Sequence, residues 1–209
     1  MSGDGATTLE QVRERLDLRV RFKADDPALG AASVALILRE RGGDLELLFI
    51  RRAEKEGDHW SGHIAFPGGR LDAADSGPRH TAERETAEEV GIVLEPADRL
   101  GRLDDLRGQS RSIVVSAFVY GFSDERDLLL NHEVAEAFWI PLVELLDPGR
   151  HVKRSFHHLD RELDLPAIRV LDDAGPEAPL LWGLSYRFLD LLMLNIARAI
   201  PSMPWREDL

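Results

Sequence analysis

Apolar positions change period along the chain, and each change marks an element. Leu9, Val12 and Leu16 recur at helical spacing behind Thr8, a residue suited to an N-cap, which predicts a short amphipathic packing helix over 8–17. Residues 32–40 (ASVALILRE) and 45–52 (LELLFIRR) are apolar, β-rich runs joined through Arg41-Gly42-Gly43-Asp44, the pattern of a hairpin with a glycine turn. A polar stretch, AEKEGDHWSGH, leads into IAFPGG, whose proline and two glycines stop the apolar run abruptly. Residues 76–91 (SGPRHTAERETAEEVG) combine a capping serine, a proline near the first turn, good helix formers and a closing glycine, Gly91, and so predict a helix.

Strand-like segments follow at 92–95, about 98–104, 112–122 (SIVVSAFVYGF) and 134–140 (VAEAFWI), after which Pro141 begins a short helix through Leu146. Residues 149–170 read as a further hairpin, with a substrate-covering loop as the alternative. Leu184, Phe188, Leu191, Leu192, Asn195 and Ile196 share one face of a last helix over 182–199, which docks on the core. Strands and helices mix irregularly, without repeat, low-complexity tract or linker. The expectation is an α+β fold, a mixed β-sheet sandwiched between helices, in one domain spanning 1–209. Its core covers about 30–147, with the helix at 8–17 in front and an extension over 149–209 behind.

Composition narrows the function. The 209 residues are 44% hydrophobic and 31% charged, which excludes a disordered tail, and the absence of cysteine removes thiolate nucleophiles, redox pairs and zinc ribbons. Lys and Arg number 26 against 38 Asp and Glu, a net charge of −12, which argues against binding nucleic acid through a broad basic face. The first twenty residues carry charges where a signal peptide needs an apolar core, and Arg187, Asp190 and Arg198 interrupt the last helix short of a membrane span. A cytoplasmic protein without membrane or nucleic-acid partners is expected.

The chemistry concentrates in FPGGRLDAADSGPRHTAERETAEEVGI, residues 66–92. At about 100° per residue, Glu85, Glu88 and Glu89 fall within one arc, while Ala82, Thr86 and Val90 make a separate, mostly apolar face. Carboxylate ligands without cysteine or clustered histidine suit a hard cation such as Mg²⁺ or Mn²⁺. The competing reading is a solvated helix face with Arg84 paired to Glu88, since like-charge neighbours on a helix cost only about 0.2–0.5 kcal/mol. The Gly68-Gly69 turn ahead of the helix favours the metal, because a sharp loop aims backbone carbonyls at an ion that the carboxylates hold.

This segment resembles the Nudix box, G-x5-E-x7-R-E-U-x-E-E-x-G-U with U a bulky apolar residue. Arg84-Glu85-Thr86-Ala87-Glu88-Glu89-Val90-Gly91-Ile92 match its second half, with Thr86 in an apolar place. Counting from Gly69, Asp75 replaces the first glutamate and stands one residue further from Arg84 than the pattern has it. Both departures resemble the branch of the coenzyme A pyrophosphatases. So do LLFIRRA (47–53), Gly62 before Phe66-Pro67-Gly68-Gly69, NHEVAEAFWIPLVEL (131–145) and LLWGLSYRFLDLL (180–192). The second arginine of the branch's upstream signature is absent, with Gly57-Asp58 in its neighbourhood.

The resemblance implies a Nudix fold with extra N- and C-terminal helices. It implies hydrolysis of a small-molecule diphosphate with Mg²⁺ or Mn²⁺: coenzyme A or an acyl derivative first, with ADP-ribose, a dinucleotide or a nucleoside diphosphate sugar as the alternative. A Nudix-fold binding module without turnover is the rival from another class. By the same resemblance Glu85 and Glu89 are the main metal ligands, Glu88 shares a second ion and the Gly68 carbonyl completes the shell. Arg84 orients a carboxylate, and Gly69 and Gly91 serve the backbone. Glu133 is the expected general base, with Glu136 or a box carboxylate such as Glu89 as alternatives. Arg51 matches the family's arginine and Arg70 follows the diglycine, so both are candidate phosphate contacts, while Arg52 is expected to face solvent. Trp60, in the loop with His59 and His63, is placed to stack on a base, the two histidines to supply loop hydrogen bonds, and Trp182 is expected in the core. A homodimer through an edge strand or the terminal helices is left open.

Overall fold

Two strands, β1 (Gly30–Arg41) and β2 (Asp44–Arg52), form the expected hairpin, with Arg41 opposite Asp44 across Gly42-Gly43. Both turn glycines have positive φ, +62° and +85°, the backbone that a two-residue hairpin needs and that side chains disfavour. Neither strand alternates, because both faces are covered. Ala35, Ile37, Leu48 and Ile50 point to one side and Leu36, Leu38, Leu47 and Phe49 to the other, all of them fully or almost fully buried. The computed structural model describes residues 7–16, 30–57, 60–108, 113–124, 127–158, 161–171 and 178–201. Asp58, His59 and the side chains of His157 and His158 lie outside the described residues.

Around the hairpin a mixed sheet assembles from β3 (Ile64–Ala65), β4 (Gly68–Arg70), β5 (Arg99–Arg102), β6 (Leu106–Arg107), β7 (Ile113–Gly121) and β8 (Val134–Pro141). Its order is β3-β2-β1-β7-β5, with β4 on β1, β6 on β7 and β8 on β2. β1 and β7 run parallel and the other pairs antiparallel. Helix α2 (Pro78–Val90) covers the face of Ala35, Ile37, Leu48 and Ile50 through Ala82 and Val90. Helices α1 (Leu9–Leu16), α3 (Leu142–Leu145) and α4 (Gly183–Asn195) cover the other face. The fold is α+β, a mixed sheet between helices, with the added helices at both ends.

Residues 149–170 are a hairpin: β9 (His151–His158) pairs with β10 (Arg161–Ile168), which pairs with β11 (Leu181–Trp182) in a second, three-stranded sheet. Two expectations fail. Residues 92–95 alternate, with Ile92 and Leu94 buried and Val93 69% exposed, but they run as a bare extended segment into a 3₁₀ turn at Pro96–Asp98. The alternation reflects burial under α2 rather than ladder pairing. Ser76 does not cap α2; Gly77 takes that place at φ +149° and the Ser76 amide donates to His80 Nδ1 at 3.4 Å. Gly91 closes the helix as expected, with φ +73° and its amide on the Ala87 carbonyl at 3.1 Å.

The terminal helices are tied in by specific contacts. Thr8 and Gln11 cap α1 reciprocally, and Arg13 donates to the carbonyls of Arg99, at the start of the edge strand β5, and Ala97, in the 3₁₀ turn before it. At the end of α4 the Arg198 amide returns to the Met193 carbonyl at 2.8 Å, and its guanidinium pairs with Asp44 beside the hairpin turn at 2.5 Å. That return puts Ala197 at φ +59°, where a Cβ is strained. Ala197→Gly should therefore stabilise the fold by about 0.5–1 kcal/mol, relief of the left-handed penalty outweighing glycine's added chain entropy. A lowered thermal midpoint would contradict this account of the helix end.

Candidate active site

The box folds because α2 carries two kinds of side chain on one flank. Thr81, Ala82, Thr86 and Val90 are buried against the sheet, and the Thr86 hydroxyl donates to the Ala82 carbonyl at 2.7 Å, so only its methyl needs an apolar partner. Glu89 lies on the same flank, 2% exposed, where the sheet ends. Its Oε2 accepts the Gly68 amide at 2.9 Å. Gly68, at φ +152°, pairs with Val34 so closely that a Cβ would stand 2.2 Å from the Ser33 carbonyl oxygen. A Cβ on Gly69 would stand 2.3 Å from Glu85 Oε1. The diglycine thus lets two helix carboxylates descend onto the strand β4.

Burial pushes the Glu89 carboxyl up to about 8; the Glu85 and Glu133 charges add to that, while the Gly68 amide and the Arg52 charge oppose it. Glu85 is also raised, first by burial and then by Glu88 and Glu133, against the pull of Arg84. Glu133 therefore stands within the field of both box carboxylates. Its placement is local: the Glu133 amide donates to Asn131 Oδ1 at 2.8 Å, the Asn131 amide donates to the Glu89 carbonyl at 3.2 Å, and Ala53 donates to the Glu133 carbonyl at 2.8 Å. Asn131 was not singled out from the sequence. An Asn two residues before an acid is a turn signal that periodicity does not weigh.

Arg84 lies between acids. Its guanidinium grips Asp75 with two bonds of 3.0 Å and reaches Glu85 Oε1 at 3.0 Å and Glu88 Oε2 at 3.0 Å. The pairing with Glu88 across one helical turn, which the solvated-face reading requires, coexists with the orienting role. Asp75, its side chain fully buried, also accepts the Asp72 amide at 2.9 Å and the Thr81 hydroxyl at 3.0 Å. These bonds, led by Arg84, hold its carboxyl well below the ordinary range. Asp75 thus ties the loop after the diglycine to α2.

The arginine pair is a correction. Arg52, expected toward solvent, follows Leu48 and Ile50 on the α2 face, and its charge acts on buried Glu89. Arg51 follows Leu47 and Phe49 on the other face, where Glu136, its partner across β8, pairs with it at 3.2 Å. Between these two rungs the register skips Ala135, so a bulge turns Val134 and Glu133 toward α2 and leaves Glu136 behind. Arg70 ends β4 exposed, and its carbonyl accepts from Arg84 at 3.4 Å. Trp60 is 36% exposed and meets Trp182 at 6.2 Å between ring centres, so Trp182 sits half-buried in a ring cluster instead of in the core.

The residues present fit a divalent cation, although the site is not a finished cage. Among the described residues no three acids or histidines stand together as a ready metal cluster, and Arg84 pairs with both Glu85 and Glu88. The donors are nonetheless all oxygen, Gly69 leaves the space that the Glu85 carboxylate fills, and the burial that raises Glu89 is the cost a bound cation offsets. Gly68 touches Glu89 through its amide, and its carbonyl is free of that contact.

The chain matches the family model described as NUDIX domain over residues 29–160. It is 41% identical to an uncharacterised Schizosaccharomyces pombe protein, over 76% of this chain and 59% of that one, so it spans less than two thirds of this relative. It is 28% identical to the mouse peroxisomal coenzyme A diphosphatase NUDT7, over 85% of this chain and 75% of that protein. Human mitochondrial coenzyme A diphosphatase NUDT8 is 32% identical, over 70% and 61%. A MutT/nudix family protein from Enterococcus faecalis shares the fold, with a TM-score of 0.54 at 18% identity over 88% of this chain and 68% of that one. The chain belongs to the Nudix hydrolase family. Within it, the chain resembles the coenzyme A diphosphatases at about 30% identity.

The Asp75 clasp yields a pH prediction. A carboxyl held below its ordinary value contributes stability above about pH 4, and that contribution is lost as pH falls toward its folded-state value. Asp75→Asn should lower the thermal midpoint at pH 7 and flatten its fall below pH 4, measured by circular dichroism. An unchanged acid limb would contradict the clasp.

Proposed function

We propose that the protein is a divalent-metal-dependent pyrophosphohydrolase acting on coenzyme A or acyl-coenzyme A, with 3′,5′-ADP and an (acyl-)phosphopantetheine as products. The observation that carries the reading is the convergence of Glu133 with Glu85 and Glu89 beside the diglycine. The names of the mouse and human relatives support the substrate.

Glu85, Glu88 and Glu89 would hold Mg²⁺ or Mn²⁺. When bound, the ion neutralises diphosphate oxygens and acidifies the attacking water. Arg84 keeps Glu85 and Glu88 apart and oriented, a role whose loss costs roughly 10- to 100-fold in comparable sites. Glu133 accepts the water's proton at a carboxylate oxygen, since it is exposed and faces the box carboxylates. Arg52, on the α2 face, supplies a cation for a substrate phosphate next to Glu89, and Arg70 offers a further contact at the rim, whereas Arg51 stays on the opposite face with Glu136. Glu136, engaged by Arg51, takes no part in proton transfer on this reading.

A second reading is favoured by one feature. Gly57-Asp58 stand near the place where the branch signature has an arginine, and this departure favours ADP-ribose, a dinucleotide or a nucleoside diphosphate sugar as the alternative substrate. No helix among the described residues is long and apolar enough to cross a membrane. The cytoplasm is our proposed compartment, although the mouse and human relatives are named peroxisomal and mitochondrial.

A panel of diphosphates with Mg²⁺ and with Mn²⁺, products identified by mass, tests the substrate. Release of 3′,5′-ADP from coenzyme A is expected; cleavage of ADP-ribose with coenzyme A untouched would favour the second reading. Glu133→Gln should lower kcat by roughly 10²- to 10⁴-fold, and Glu136→Gln should leave it within a few-fold. The reverse ranking would move the base to Glu136.

A further inference from the structure

We infer that Trp60, His63 and Trp182 form the wall on which the planar base of the substrate stacks, so that the C-terminal unit takes part in recognition. This rests on the proposed diphosphate chemistry but not on coenzyme A, because every alternative substrate named above also carries a base.

The rings are set as a wall and not as a stacked core. Trp60 and Trp182 are tilted by 36° at 6.2 Å, and His63 stands edge-on to both, at 84° and 5.6 Å to Trp60 and at 60° and 5.3 Å to Trp182. Edge-to-face contacts fix the rings through their margins and leave π-faces for a further planar group. Trp60 keeps 36% of its surface exposed, so part of its ring is open to a planar ligand.

The loop presenting Trp60 is built to hold it. The Ser61 hydroxyl accepts the Lys55 amide and donates to the Lys55 carbonyl, both at 2.9 Å, closing the loop across its neck. Gly62 follows at φ +71°, and the His63 amide bonds back to the Trp60 carbonyl at 3.3 Å.

The same loop is wired to the carboxylate site. The Arg52 amide donates to the His63 carbonyl at 3.0 Å, and the Arg52 side chain acts on Glu89. Ala53, the next residue, donates to the Glu133 carbonyl at 2.8 Å. The wall therefore begins one strand end away from the groups that flank the diphosphate. Trp182 reaches it from β11, directly before α4, and supplies the one ring of the three from outside the loop.

The test uses the full chain with 3′,5′-ADP and 4′-phosphopantetheine as separate probes, read by tryptophan fluorescence and calorimetry. 3′,5′-ADP is expected to quench the wild type and the Trp139→Phe control, and to quench less in Trp60→Phe and Trp182→Phe. Trp182→Leu should weaken 3′,5′-ADP binding by roughly 5- to 150-fold, the scale of base stacking on an aromatic side chain. It should raise KM with kcat retained, and Trp182→Phe should restore KM. Quenching by phosphopantetheine but not 3′,5′-ADP would overturn the inference, as would an unchanged KM in Trp182→Leu. A fall in kcat and thermal midpoint with KM unmoved would make Trp182 a packing residue and overturn it equally. Should coenzyme A prove not to be cleaved, quenching by 3′,5′-ADP would still uphold the wall while the substrate assignment failed.

Discussion

Burial of the Glu89 carboxylate at the end of the sheet is the constraint on which the rest of the site depends. A 2%-exposed acid is costly, and here the cost is met in part by the Gly68 amide and the Arg52 charge. Both require particular backbone. Gly68 must approach β1 more closely than any side chain allows, and Arg52 must fall on the face of Leu48 and Ile50. The bulge at Ala135 and the turn at Asn131 then bring Glu133 to the same place from β8. The diglycine, the hairpin and the segment before β8 are thus arranged around one helix position.

The helix that carries this acid is itself restrained. Asp75 and Arg84 bind the loop to α2, and the Tyr120 hydroxyl donates to Glu83 at 2.9 Å, attaching the helix to β7. Arg84 serves two purposes at once, since the guanidinium that organises Asp75 also separates Glu85 from Glu88. The net charge of −12 has a local expression here: several acids share a small volume, which on the proposed function would need cations before an anionic substrate could approach.

Much of this was legible before the structure. Box spacing placed Glu85, Glu88 and Glu89 on one arc and Thr86 on the packed side, because a helix translates spacing into direction without reference to its neighbours. The hairpin was legible from Gly42-Gly43, and the α+β sandwich from the irregular mixing of strands and helices along the chain. The apolarity of β2 hid the direction of Arg51 and Arg52: in LELLFIRR both faces are buried, so no polar alternation says which face belongs to α2. Glu133 and Glu136 could not be separated because a bulge adds a residue without a sequence mark. Trp182 looked like core because the partner that draws it out, Trp60, lies far away in the chain. Ser76 looked like a cap because serine commonly is one, yet Gly77 intervenes.

A calorimetric Mn²⁺ titration of the metal-free protein and of Glu89→Gln tests the central claim most directly. Glutamine keeps the volume and accepts the Gly68 amide but carries no charge, so the metal-free variant should be at least as stable as the wild type. Mn²⁺ should bind the wild type and bind the variant at least roughly 10-fold more weakly. Equal affinity in the two proteins would contradict the assignment of the buried acid as a cation ligand.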